Sequence, residues 1–185
     1  MAFTLQPVRA TGNHDHFFWS ATMSWQTLSL GLHLASLALW LGGMVFFLVV
    51  FGPAVNDLQP GVAIRILDHG RRNFEAVSWI GIIVLILTGI ANLILRQASG
   101  SGFGQFYMIA LLIKLLAFGA MVYLHALQVF KHAPGIAALT AATPPDSLSW
   151  PEPLRAHWQK WLTLLKINAT LGPIETVMGL ILLKS

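Results

Sequence analysis

The chain has 185 residues, 56% of them apolar and only 10% charged, a composition that excludes an ordinary soluble domain and points to an integral membrane protein. Its net charge of +4 comes without a basic patch interleaved with aromatics, which argues against nucleic-acid binding and for loop charge placed by membrane topology. Cysteine is absent, so disulfides, thiolate metal sites and covalently attached haem are removed, leaving His, Met, Lys and carboxylates as ligands.

Residues 1–27 read as an N-terminal arm on the periplasmic side. Met1 to Ser20 holds Arg9 but no continuous apolar run, which does not look like a cleavable secretory signal. Within the arm, His14 and His16 flank Asp15, a pattern open to Cu(II) or Zn(II) ligation and equally to a plain solvated arm.

Residues 28–185 read as the transmembrane domain. The first span is Leu28 to Val50, just past the interfacial aromatics Trp19 and Trp25. One face of it carries His33, Leu37, Trp40 and Met44, and the opposite face carries Ala35, Ala38 and Gly42, a small-residue stripe that lets a helix of this chain or of a partner approach. Gly52-Pro53 is expected to end it. Asn56 to Glu75 mixes Arg65, His69, Arg71 and Arg72 with aliphatic residues and reads as a short helix lying at the interface. The second crossing is Ala76 to Leu95, with Thr88 and Asn92 close to one face and Arg96 closing it.

Ser99 to Gly102 turns the chain into the third span, Phe106 to Leu127. Here Lys114 and His125 stand eleven positions apart, on one side of a helix with Met121 between them and roughly 16 Å along the axis. His132 to Pro153 is expected to be a Pro-rich loop with an Ala-rich helical turn. The fourth crossing, Trp158 to Leu183, sets Asn168 and Glu175 on one face, and Pro173 should kink it. The expected fold is an all-α, integral membrane four-helix bundle with a short interfacial helix between spans one and two.

Loops one and three carry Arg65, Arg71, Arg72, Lys131, Arg155 and Lys160, against Arg9, Arg96 and Lys184 on the other side. The positive-inside bias therefore puts both termini in the periplasm of a bacterial inner membrane. With that orientation His33, Asn92, Lys114 and Glu175 all lie one to two turns below the outer surface. A Lys114–Glu175 ion pair with His33 and Asn92 in its network would explain them as packing devices, and ligation by His33 would explain them as a site.

The inner half holds His125 and Lys166, with His69, Arg71 and Arg72 at the boundary. Imidazole for iron and cations for propionates suit a b-type haem, whereas the same cations also suit lipid phosphates. His33 and His125 lie toward opposite leaflets, so they do not make the two axial ligands of one haem. A bis-histidine site would need His125 with His69, His132 or His157. Met23, Met44, Met108 and Met178 lack the paired spacing of a Cu(I) thioether site and read as core.

Leu32-His33, Trp40-Leu41-Gly42-Gly43 and Pro53-Ala54, followed by Arg71-Arg72-Asn73-Phe74, Trp79 and Leu87-Thr88-Gly89, resemble the first two spans of the copper resistance protein D (CopD) family. Lys114 is also similar to a lysine of the HemJ type of protoporphyrinogen oxidase. The resemblance implies a membrane protein handling copper or haem, with His33 serving the haem and Lys114 supporting the chemistry.

The expectation is thus a protein binding one or two b-type haems, transferring electrons or oxidising a small hydrophobic reductant, with a quinone or redox protein as partner. His33 and His125 would be ligands, Lys114 and Glu175 would tune the site, and Arg71 and Arg72 would hold propionates. Two other classes stay open. One is a copper permease using His14, His16, His33 and the outer methionines; the other is a structural subunit of a larger membrane complex.

Overall fold

The computed structural model describes the backbone of residues 13–184 and the side chains of residues 25–182. Helix α1 (Asn13–Phe46) runs through a π-helical turn (Phe47–Phe51) into the short α2 (Gly52–Asn56). Helices α3 (Pro60–Ala98) and α4 (Gln105–Ala126) follow; a second π-helical turn (Leu127–His132) leads into α5 (Ala133–Ala142), and α6 (Glu152–Lys184) ends the chain. No strand occurs among the described residues.

Four stretches are long and apolar enough to cross a bilayer: Trp25–Asn56, Pro60–Ala98, Gln105–Ala142 and Glu152–Leu182. α1 packs along α3, α4 along α6, and α1 also meets α6, which closes the four into a bundle. The sidedness of burial matches lipid as solvent. Large apolar side chains face outward, with Ile80 62%, Leu116 66% and Phe130 72% exposed, while Asp68, His125, Gln128 and Asn168 are completely buried. In water that distribution would be unfavourable; in hydrocarbon it puts each polar group where protein can satisfy it. The chain is a multi-pass membrane protein.

The segment expected to be a separate interfacial helix is instead, from Pro60 onward, the first part of α3. This helix runs for 39 residues, roughly 58 Å, well beyond a hydrocarbon core of about 30 Å. Pro60 stands in its first turn, where its missing N–H costs nothing, and no later proline interrupts it. Asp68, Arg71 and Glu75 turn inward and are buried, while Arg65, His69 and Arg72 stay exposed on the outer face of the same continuous helix.

The prolines expected to end helices widen them. Pro53 has no N–H to give Val49, and just before it Gly52 N–H bonds back five residues to the Phe47 carbonyl. Ahead of Pro134, Ala133 N–H reaches the Gln128 carbonyl in the same way. Each π-turn lets the chain keep bonding past a missing donor. Consequently the third helix continues through α5 to Ala142, and the expected Pro-rich loop shrinks to residues 143–151. That loop is tied to α3: Gly61 N–H donates to the Ser147 carbonyl at 3.1 Å and Arg65 donates to the Thr143 carbonyl at 3.3 Å.

Gly42 has nothing near the position of a Cβ, and Ala35, Ala38 and Gly42 are all exposed, so the small-residue stripe meets no helix of this chain. The close approach of α1 to α3 uses Gly43, against Phe74, and Gly81, against Ser36 and Trp40.

Candidate functional site

At the end of the bundle where α1 begins and α6 ends, a cavity of about 300 Å³ opens between the helices. Its walls are mostly leucine and isoleucine, and its polar groups include His33 from α1, Asn92 and Arg96 from α3, Lys114 from α4 and Glu175 from α6, with Gln26, Tyr107 and Thr176 also on the lining. The structure thus brings His33, Asn92, Lys114 and Glu175 together, one from each crossing. Lys114 and Glu175 make no direct ion pair. Glu175 is buried, and its Oε2 has no hydrogen-bond partner, as is also true of Asn92 Oδ1. Arg96 lies over the Tyr107 ring, 4.1 Å from its centroid, a cation–π contact on the cavity wall.

The orientation of His33 follows from its neighbour. Thr88 has one hydroxyl hydrogen, and its Oγ1 sits 2.6 Å from the Val84 carbonyl, one turn back in α3. With that hydrogen committed, Thr88 Oγ1 can only accept from His33 Nδ1, 2.8 Å away. The proton is therefore on Nδ1, the Leu85 carbonyl also lies within reach of the ring, and Nε2 of the neutral imidazole carries the lone pair. A histidine held by one nitrogen with the lone pair on the other is the arrangement in which imidazole ligates metal.

His125 lies apart from this cavity. It is completely buried, with the rings of Trp79, Phe74 and Trp40 centred 5.3, 6.1 and 6.2 Å from its own. Gln128 and the Glu75 backbone are close, but neither ring nitrogen completes a hydrogen bond. Trp40 also meets Phe118, 6.1 Å between centroids, and Phe118 lines the cavity that holds His33. The two histidines are thus separated by a tryptophan–phenylalanine partition.

Residues 70–172 match the copper resistance protein D (CopD) family. The chain belongs to that family. The CopD match takes in Thr88, Asn92, Lys114 and His125, while His33 and Glu175 flank it on either side. No curated protein and no solved structure matches the chain.

Several residues expected to serve a haem have other surroundings in this CopD bundle. Arg71 is no propionate anchor, because it is 2% exposed and fully engaged: Nε and NH2 donate to Asp68 Oδ1 at 3.1 and 2.6 Å, and NH1 donates to both Glu75 oxygens at 2.9 and 2.7 Å. Arg72 donates to Asp68 Oδ2 at 2.5 Å, and Trp161 Nε1 to Glu75 Oε1 at 3.1 Å. His125 in turn is buried among Trp79, Phe74 and Trp40. It does not meet another histidine: His69 is exposed, and His132 packs against His157, 6.1 Å between centroids. No group of three or more His, Asp or Glu gathers as a metal cluster among the described residues. The side chains of His14 and His16, expected as a metal pair, lie outside the described residues.

The partners of Arg71 escape notice in the sequence when its arginines are weighed alone. The spacing Asp68, Arg71, Arg72, Glu75 carries the signal, since it sets acids three and four residues from each base on one helix face.

Proposed function

We propose that this protein carries copper across the bacterial inner membrane, taking the ion first into the cavity that holds His33. The observation behind the proposal is membership of the CopD family across residues 70–172. The donors of the cavity suit it: the His33 nitrogen that is not bound to Thr88, the unpartnered Oε2 of Glu175 and the unpartnered Oδ1 of Asn92 are nitrogen and oxygen ligands that copper accepts.

Lys114 sets the condition for occupancy. Its ammonium shares the cavity with Glu175, and Gly179 leaves it room: a Cβ there would stand 3.3 Å from Nζ. An arriving cation competes with Lys114 for the carboxylate, so uptake requires the ammonium to swing away. Beyond the Trp40–Phe118 partition the buried Met44, Met121 and His125 offer the softer donors that suit Cu(I) on the way through. With both termini periplasmic, His14 and His16 would meet copper before the cavity does.

The test is copper accumulation by cells expressing the full chain, measured by elemental mass spectrometry. Wild type should accumulate copper above an empty-vector control, and His33→Ala and Glu175→Gln, at equal protein level, should not. Accumulation no higher than the control, or accumulation indifferent to His33, would overturn the proposal.

A further inference from the structure

At the opposite end of the bundle from the His33 cavity, a groove of about 510 Å³ runs between the second π-turn and α6. Leu127, Lys131 and His132 line one wall, and Gln159, Lys160, Thr163 and Leu164 line the other. The two helices are antiparallel, and their register is locked by Gln128 Nε2 donating to the Trp161 carbonyl at 3.0 Å. Stepping outward by one turn, roughly 6 Å, therefore goes from Leu127 to Lys131 on one wall and from Leu164 to Lys160 on the other. The groove is apolar toward the membrane and cationic beyond it, on both sides at matching height.

The cations have no acid of their own. Asp68 and Glu75 are engaged by Arg71 and Arg72, and Glu152 pairs with Arg155; among the described residues, no carboxylate closes on Lys131 or Lys160. His132 adds a second, independent feature. It lines the groove, is 9% exposed, lies within electrostatic reach of both lysines, and its buried Nδ1 has no partner. A donor-rich pocket with an apolar tail demands an amphiphile with an anionic head.

We propose that this groove binds an anionic phospholipid, its phosphate between Lys131 and Lys160 and an acyl chain along Leu127 and Leu164. Two lysines act as point charges on the phosphate, and the Gln159 amide stands beside them as a further donor. Free phosphate shares the headgroup chemistry but would leave the leucine arm unused. The site is independent of copper and stands or falls without it.

Native mass spectrometry of the full chain released from detergent reads the site directly, with phosphatidylglycerol, phosphatidylcholine or inorganic phosphate added. Phosphatidylglycerol should stay bound where phosphatidylcholine is lost. The double variant Lys131→Gln, Lys160→Gln should lower its retention about thirtyfold, from the worth of two basic residues near an anionic surface. Both lysines are exposed, so the fold should persist, which an unchanged thermal midpoint will establish. Removing equal charge at the same end with Arg65→Gln, Arg155→Gln should leave retention intact, and Leu164→Trp, which fills the apolar arm without touching charge, should reduce it. Equal loss in the two double variants, equal retention of the two lipids, or displacement of the lipid by millimolar inorganic phosphate would each overturn the proposal.

Discussion

Thr88 shows how much a single hydroxyl can decide. Because its hydrogen goes to Val84, it can only accept from His33, and that leaves the lone pair on the other imidazole nitrogen. Thr88→Val removes the acceptor while keeping the shape, so copper affinity of the purified protein should fall by about 10- to 100-fold, the usual effect of losing the group that orients a ligand. Competition with a chromogenic chelator will measure it. Arg71 is the matching case for stability. Two buried carboxylates share its guanidinium, and with it gone Asp68 keeps Arg72 but Glu75 keeps only the neutral Trp161 donor, so Arg71→Ala should cost about 3–5 kcal/mol by leaving Glu75 without a cation, seen as a large drop in thermal midpoint in detergent. Neutralising the cluster with Arg71→Met, Asp68→Asn and Glu75→Gln together should recover much of that loss.

Among the elements, the four crossings are legible in the sequence because each holds an apolar run of bilayer length. Their ends are not. Apolar length counts only the part in lipid, whereas α3 runs on with Asp68 and Glu75 neutralised by Arg71 and Arg72, and the third helix runs on because a π-turn carries it past Pro134. Proline read as a stop signal holds for an α-helical ladder, not for one that can switch to bonding five residues back. The meeting of His33, Asn92, Lys114 and Glu175 could be seen from helical phase and depth together, since both follow from fixed rise and rotation. The cage around His125 could not, because it depends on which rings face it from α1 and α3. Gly61 tests how tightly the loop over residues 143–151 is held: a Cβ there would lie 2.3 Å from the Pro145 carbonyl. Gly61→Ala should therefore destabilise by about 1–3 kcal/mol, as overpacking does, and should speed protease cleavage in that loop without altering copper binding at the far end.

For the molecule as a whole, the bundle keeps its polar membrane residues among an apolar core and shows an apolar rim, and it carries different chemistry at its two ends: donors and a cavity at one, lysines without acidic partners among the described residues at the other. The proposed transport direction needs those ends on defined sides of the membrane. Because the chain has no cysteine, a single introduced thiol is a clean reporter. Ser101→Cys should react with a membrane-impermeant maleimide added to intact spheroplasts, and Asp146→Cys only after lysis. The central functional claim is that His33 and Glu175 hold copper, and the copper content of protein purified from copper-supplemented cells tests it most directly. Stoichiometric copper in the wild type, lost in both His33→Ala and Glu175→Gln with the fold intact, is the predicted result; a wild type free of copper, or variants that retain it in full, would contradict it.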